Sequence, residues 1–136
     1  MTVFRHLMFV GVLTGLMCAP AVSAIPISPS ERAQAFAQCA GRYSAMANHI
    51  TEASSETFET VRERKALFDM MLEAVLPAAV AYGMPKAQAT TWKFDAWRNH
   101  AAILNDANYS VDHRRAQNAR AASEKMIAEC RRLILS

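Results

Sequence analysis

Two cysteines set the tightest limit on what this chain can fold into. The chain carries Cys18, Cys39 and Cys130. Cys18 lies in a segment that reads as a secretory leader. Arg5 and His6 give a short basic start. An apolar run over residues 7–19 follows, about a dozen residues where a membrane span needs ~20. Pro20-Ala21-Val22-Ser23-Ala24 closes it, with small residues Val22 and Ala24 where a signal peptidase reads, so cleavage is expected after Ala24. A retained anchor is the competing reading. Lipoprotein processing at Cys18 would need a small residue before it, and Met17 is not small. Residues 1–24 are therefore assigned as leader and 25–136 as the mature domain, with no stable membrane anchor after cleavage. That leaves Cys39 and Cys130, and an even pair in an exported protein reads as a disulfide. The alternative is two free buried thiols. A loop of about ninety residues closed this way is worth about 4.6 kcal/mol in the chain-entropy treatment, a large share of the ~5–15 kcal/mol that holds a whole domain.

The residues between the cysteines repeat at helical spacing. Apolar residues make up 52% of the chain and Gly and Pro are sparse, a mix that favours helix. The first helix has complete start signals: Ser28 as N-cap, Pro29 at the first position and Glu31 three residues past the cap. Phe36, Ala40, Tyr43, Ala47 and Ile50 form its apolar stripe, with Cys39 and Met46 on the same face, and it is expected to end near Thr51. A second helix begins near Ser55 or Glu56 and carries Phe58, Val61, Phe68, Leu72, Val75, Ala79 and Tyr82. Lys65 interrupts that stripe, and Pro77 predicts a kink near Leu76. Gly83 predicts a left-handed cap with Met84 packing back. A third helix starts at Pro85 or Lys86 and runs to about Ala107, with Ala89, Trp92, Ala96, Trp97, His100, Ile103 and Leu104 on one broad face. A fourth runs from about Val111 to Leu133 on a stripe of Ala119, Ala122, Met126 and Cys130. Four helices of roughly 22 to 27 residues joined by short connectors predict an all-α, four-helix up-down-up-down bundle. In that topology the start of the first helix lies beside the end of the fourth. The disulfide and the topology agree, although neither was derived from the other.

Signatures of chemistry are sparse. Covalent haem attachment needs two cysteines two apart followed by histidine, and no such run exists. A di-metal carboxylate bundle needs Glu-x-x-His on two helices, and zinc hydrolases need histidines four apart; both are missing. No serine lies in a Gly-x-Ser-x-Gly elbow. Glu56, Glu59 and Glu63 alternate with Arg62 and Arg64, as on a solvated, ion-paired surface. Arg114, Arg115, Arg120, Lys125, Arg131 and Arg132 are diluted by Asp112, Glu124 and Glu129. The formal net charge of +3 and the lack of interleaved aromatics give no nucleic-acid surface. No catalytic, cofactor or metal residue is assigned. One ligand-binding alternative stays open: His100 on the apolar face of the third helix, with a core methionine such as Met46, Met71 or Met126, binding haem or copper.

The second helix is more apolar than one bundle seam requires. Met70, Ala74, Leu76 and Val80 fall outside its main stripe. Such a surplus marks a contact for a partner protein or a second copy, unless the Pro77 kink buries it locally. Trp92, Phe94 and Trp97 would extend the patch, whose centre is placed at Met70, Leu76, Val80 and Trp97.

The run Phe36-Ala37-Gln38-Cys39-Ala40-Gly41-Arg42-Tyr43-Ser44-Ala45 resembles a motif of small exported alphaproteobacterial proteins. These share a leader, a Cys-x-Gly-Arg-Tyr-Ser-Ala start and a late cysteine like Cys130, so the resemblance covers most of the mature chain. It implies a periplasmic location and the Cys39–Cys130 bridge, and no activity. The expectation is a non-enzymatic periplasmic or secreted domain that binds another protein or itself.

Overall fold

A computed structural model describes residues 28–50 and 56–135. The expected leader, residues 25–27, and residues 51–55 between the first two helices lie outside the described residues. The fold is an all-α, four-helix up-down-up-down bundle: α1 (Pro29–His49), α2 (Phe58–Ala81), α3 (Gln88–Tyr109) and α4 (His113–Leu135).

Each helix begins or ends on identifiable chemistry. Glu31 N donates to Ser28 Oγ at 3.1 Å, and Ser28 N donates back to Glu31 Oε2 at 3.1 Å, which completes the expected box at α1. Thr57 caps α2, which starts at Phe58 rather than near Ser55 or Glu56: the Thr57 Oγ1 accepts from Thr60 N at 3.2 Å. The α2 stop is as expected, with Gly83 at φ +102°. Gly83 N donates to Val80 O and Met84 N to Ala79 O, both at 3.0 Å, and Met84 is buried. Helix α3 starts three residues after Pro85, because a turn closed by Gln88 N on Pro85 O comes first. Helix α4 starts later than Val111, because Asp112 is its cap. Asp112 Oδ1 accepts from Arg114 N at 2.9 Å and Arg115 N at 3.2 Å. Pro77 lies within α2, which continues to Ala81.

The packing is uneven in a way that simple seams do not anticipate. Helix α1 is the centre, packed closely on both α2 and α3; α4 packs mainly on α3. Helix α1 therefore has two buried faces. Phe36 and Tyr43 approach Phe68 of α2, with ring centroids 6.4 and 5.8 Å apart. A second face of Ala33, Ala37, Gly41 and Ala45, at steps of four, is wholly buried as well. At Gly41 a side chain has no room. A Cβ there would overlap the Lys93 carbonyl oxygen and come within 3.0 Å of Trp97 N. Parallel helices α1 and α3, diagonal in a square bundle, thus touch backbone to backbone.

Helix α4 also presents a different seam from the one its alanines suggest. Ala116, Ser123, Ile127 and Cys130 are buried, while Ala122 is exposed and Met126 half-buried. The polar Ser123 belongs to the seam because a polar partner waits inside, as described next.

Candidate functional site

Cys39 and Cys130 form the disulfide between α1 and α4, with Cα atoms 5.6 Å apart. A polar junction surrounds it. Arg42 lies one turn beyond Cys39. Its Nη1 donates to Met126 O at 2.9 Å and Glu129 Oε2 at 3.0 Å, and reaches Cys130 Sγ at 3.7 Å. The backbone carbonyl of Arg42 meets His100 Nδ1 at 3.0 Å. On the other side of the ring, His100 Nε2 lies 2.8 Å from Ser123 Oγ. A carbonyl oxygen only accepts, so Nδ1 carries the proton. Nε2 is then the bare nitrogen and accepts from the Ser123 hydroxyl. One fully buried imidazole thereby joins α1, α3 and α4.

The junction is built for a neutral ring. Burial pushes the His100 pKa down to about 4, helped by Arg42 and His49 charge; the hydrogen bond to the Arg42 backbone opposes it. Ser123 also borders a cavity of about 260 Å³, together with Met46, Glu124, Ile127 and Arg131. A serine bonded to an oriented histidine is the geometry of an acyl-transfer nucleophile. An imidazole held near 4 is, however, a weak acceptor for the serine proton at neutral pH. The arrangement reads as a lock between helices. A metal or haem iron at His100 would first have to take Nε2 from Ser123. Among the described residues, no three His, Cys, Asp or Glu side chains come together as a metal cage.

A second polar group sits between α1, α2 and α4. Glu56, with its side chain nearly buried, accepts from Arg131 Nη1 at 3.0 Å and lies 3.8 Å from Arg64 Nε. The buried Tyr43 hydroxyl lies beside them, its pKa raised by burial and by the Glu56 charge. Asp69 of α2 pairs with Lys65 and with Lys93 of α3. Burial would raise the Asp69 pKa, but the two lysines together hold it below the usual carboxylate range.

The apolar surplus of α2 divides between core and surface. Met70 is 61% exposed. Leu76 and Val80 are half-buried and pack against the core, so the expected patch is smaller on that side. Trp97 is half-buried on α3 and stacks on exposed Phe94 at 5.8 Å, with the Arg98 guanidinium 5.9 Å from the Phe94 ring. What α2 does turn outward is a short row at steps of four, Ala66, Met70, Ala74 and Ala78, all exposed, with exposed Tyr82 following at the C-cap. Pro77 and Ala81 lie beside the row, and Glu73 is the only charge along it. By backbone approach α2 packs on α1 alone, Asp69 reaches Lys93 of α3, and the row stays exposed.

Sequence reasoning missed Gly41, Arg42 and Ser123. For the first two there was a signal, the run Cys39-Ala40-Gly41-Arg42-Tyr43-Ser44. Each named position has a job: Cys39 bridges, Gly41 admits α3, Arg42 clamps α4, Tyr43 fills the core, and Ser44 Oγ donates to Ala40 O at 2.8 Å. Comparison of the chain with family models, with curated proteins and with solved structures found no match.

Proposed function

We propose that this protein is a non-enzymatic, exported helical module, periplasmic or secreted, that acts by associating with a second copy of itself through the outer face of α2. The leader pattern and the cysteine pair support export. A disulfide is consistent with an oxidising extracytoplasmic compartment. No helix among the described residues is long and apolar enough to cross a membrane.

The observation that carries the reading is the exposed outer face of α2 between Ala66 and Ala81, on which Glu73 is the one exposed charge, on a helix whose backbone packs against a single neighbour. Small residues let another helix come close, and Met70 and Tyr82 supply apolar area. The test is the solution mass of the oxidised mature protein by size-exclusion chromatography with light scattering, over a concentration series. A dimer that Met70→Glu converts to monomer, with unchanged helical circular dichroism, is the expected result. A monomer at every concentration refutes self-association.

A further inference from the structure

We infer that the junction of α1, α2 and α4 is a binding site for one neutral, water-sized molecule, held by the Tyr43 hydroxyl, Arg64 Nη1 and Glu56 Oε2. Each of these three atoms is buried, and none has a hydrogen-bond partner among the described residues. They belong to side chains gathered at one spot. The charges of Glu56 and Arg64 both act on the Tyr43 hydroxyl, and Arg64 Nε lies 3.8 Å from Glu56 Oε2, beyond hydrogen-bond reach. Tyr43 is wholly buried, and the Glu56 side chain is 8% exposed. The groups are not free to close on one another. The Tyr43 ring is stacked on Phe68, and the other Glu56 oxygen is held by Arg131 Nη1 at 3.0 Å. Polar atoms left unpaired inside a protein are costly, and a buried water commonly satisfies about three of them at once.

The three atoms define the chemistry of the occupant. Arg64 Nη1 only donates, and the Glu56 carboxylate, paired with Arg131, only accepts. Burial and the Glu56 charge raise the Tyr43 pKa, so the hydroxyl keeps its proton and donates. The occupant must therefore accept from Arg64 and Tyr43 and donate to Glu56. A halide ion has no hydrogen to give Glu56 and would be set against its charge. A metal or ammonium cation cannot accept from Arg64 or Tyr43, and it would meet the guanidinium groups of both Arg64 and Arg131. Water meets all three demands and bridges three elements of the bundle.

Two measurements on the oxidised protein test the site. A crystal structure with ordered solvent is expected to show one water within about 3.2 Å of all three atoms. Direct hydrogen bonds among the three side chains, or a side chain from residues 51–55 in that place, would overturn the inference. An anomalous peak there after a bromide soak would overturn it too, by making the occupant an anion. The second measurement is the melting temperature of Tyr43→Phe, which removes the hydroxyl alone. Loss of a bonded hydroxyl is expected to lower it by about 4 °C, with helical circular dichroism unchanged. A melting temperature that holds or rises would mean that the hydroxyl has no partner to lose, and the site would fall with it.

Discussion

The buried His100 makes a quantitative prediction about acid. In the unfolded chain its imidazole has the ordinary value of 6.5; in the bundle burial holds it at about 4. The folded state therefore keeps the ring neutral in a window where the unfolded chain takes up a proton. Stability is complete above 6.5, falls as pH drops through the window, and levels off below about 4. Each tenfold difference in proton affinity between the two states is worth about 1.36 kcal/mol. The loss relative to pH 7.5 is then about 2 kcal/mol at pH 5 and about 3 kcal/mol at pH 4. Urea unfolding of the oxidised protein across this range measures it, with His100→Gln as the comparison. The variant is less stable throughout, but it lacks the titrating ring. Every other group, His49 and His113 included, is common to both proteins. The wild type should lose about 2 kcal/mol more than the variant between pH 7.5 and pH 5. Parallel stability curves for the two would refute the claim that the ring is held neutral.

Other substitutions probe the rest of the frame. Gly41→Ala should lower stability by about 2 kcal/mol, because the overlap with the Lys93 carbonyl forces α1 from α3 and outweighs the ~1 kcal/mol gain in helix propensity; a rise in melting temperature would contradict the close approach. Cys130→Ser should lower the melting temperature by on the order of 20 °C in non-reducing buffer, from the loop entropy released into the unfolded chain; an unchanged melt would mean that the bridge contributes nothing. Asp112→Ala should cost about 1 kcal/mol through loss of the α4 cap, read as a lower urea midpoint with the slope preserved.

The parts of this fold that were legible in the sequence are those with a local cause. The Ser28–Glu31 box, the Gly83 stop and the four-helix pattern are each written in a few neighbouring residues, and the cysteine pair followed from reading residues 1–24 as a leader. The parts that were not legible depend on what lies across a gap. Ala33, Ala37, Gly41 and Ala45 carry too little apolar signal to announce a second buried face, yet their smallness is what brings α3 against α1. Ser123 carries no apolar signal, and its reason for being inside is His100, twenty-three residues away on another helix. Phe58 and Tyr82 fit the α2 stripe by spacing but sit at the helix ends, beyond the reach of the core, and are exposed. The α2 surplus was visible as composition; which of its members faced outward was decided by α2 having one packing neighbour.

The separation of 91 residues between Cys39 and Cys130 has a consequence for how the bridge forms. If the chain emerges N-terminus first, Cys39 must stay unpaired until about ninety further residues have followed, several seconds at ordinary synthesis rates. No other cysteine lies between the two. A thiol that captures Cys39 from beyond residue 39 before Cys130 arrives must belong to another molecule, so crowding among unfinished chains is the hazard that this spacing brings.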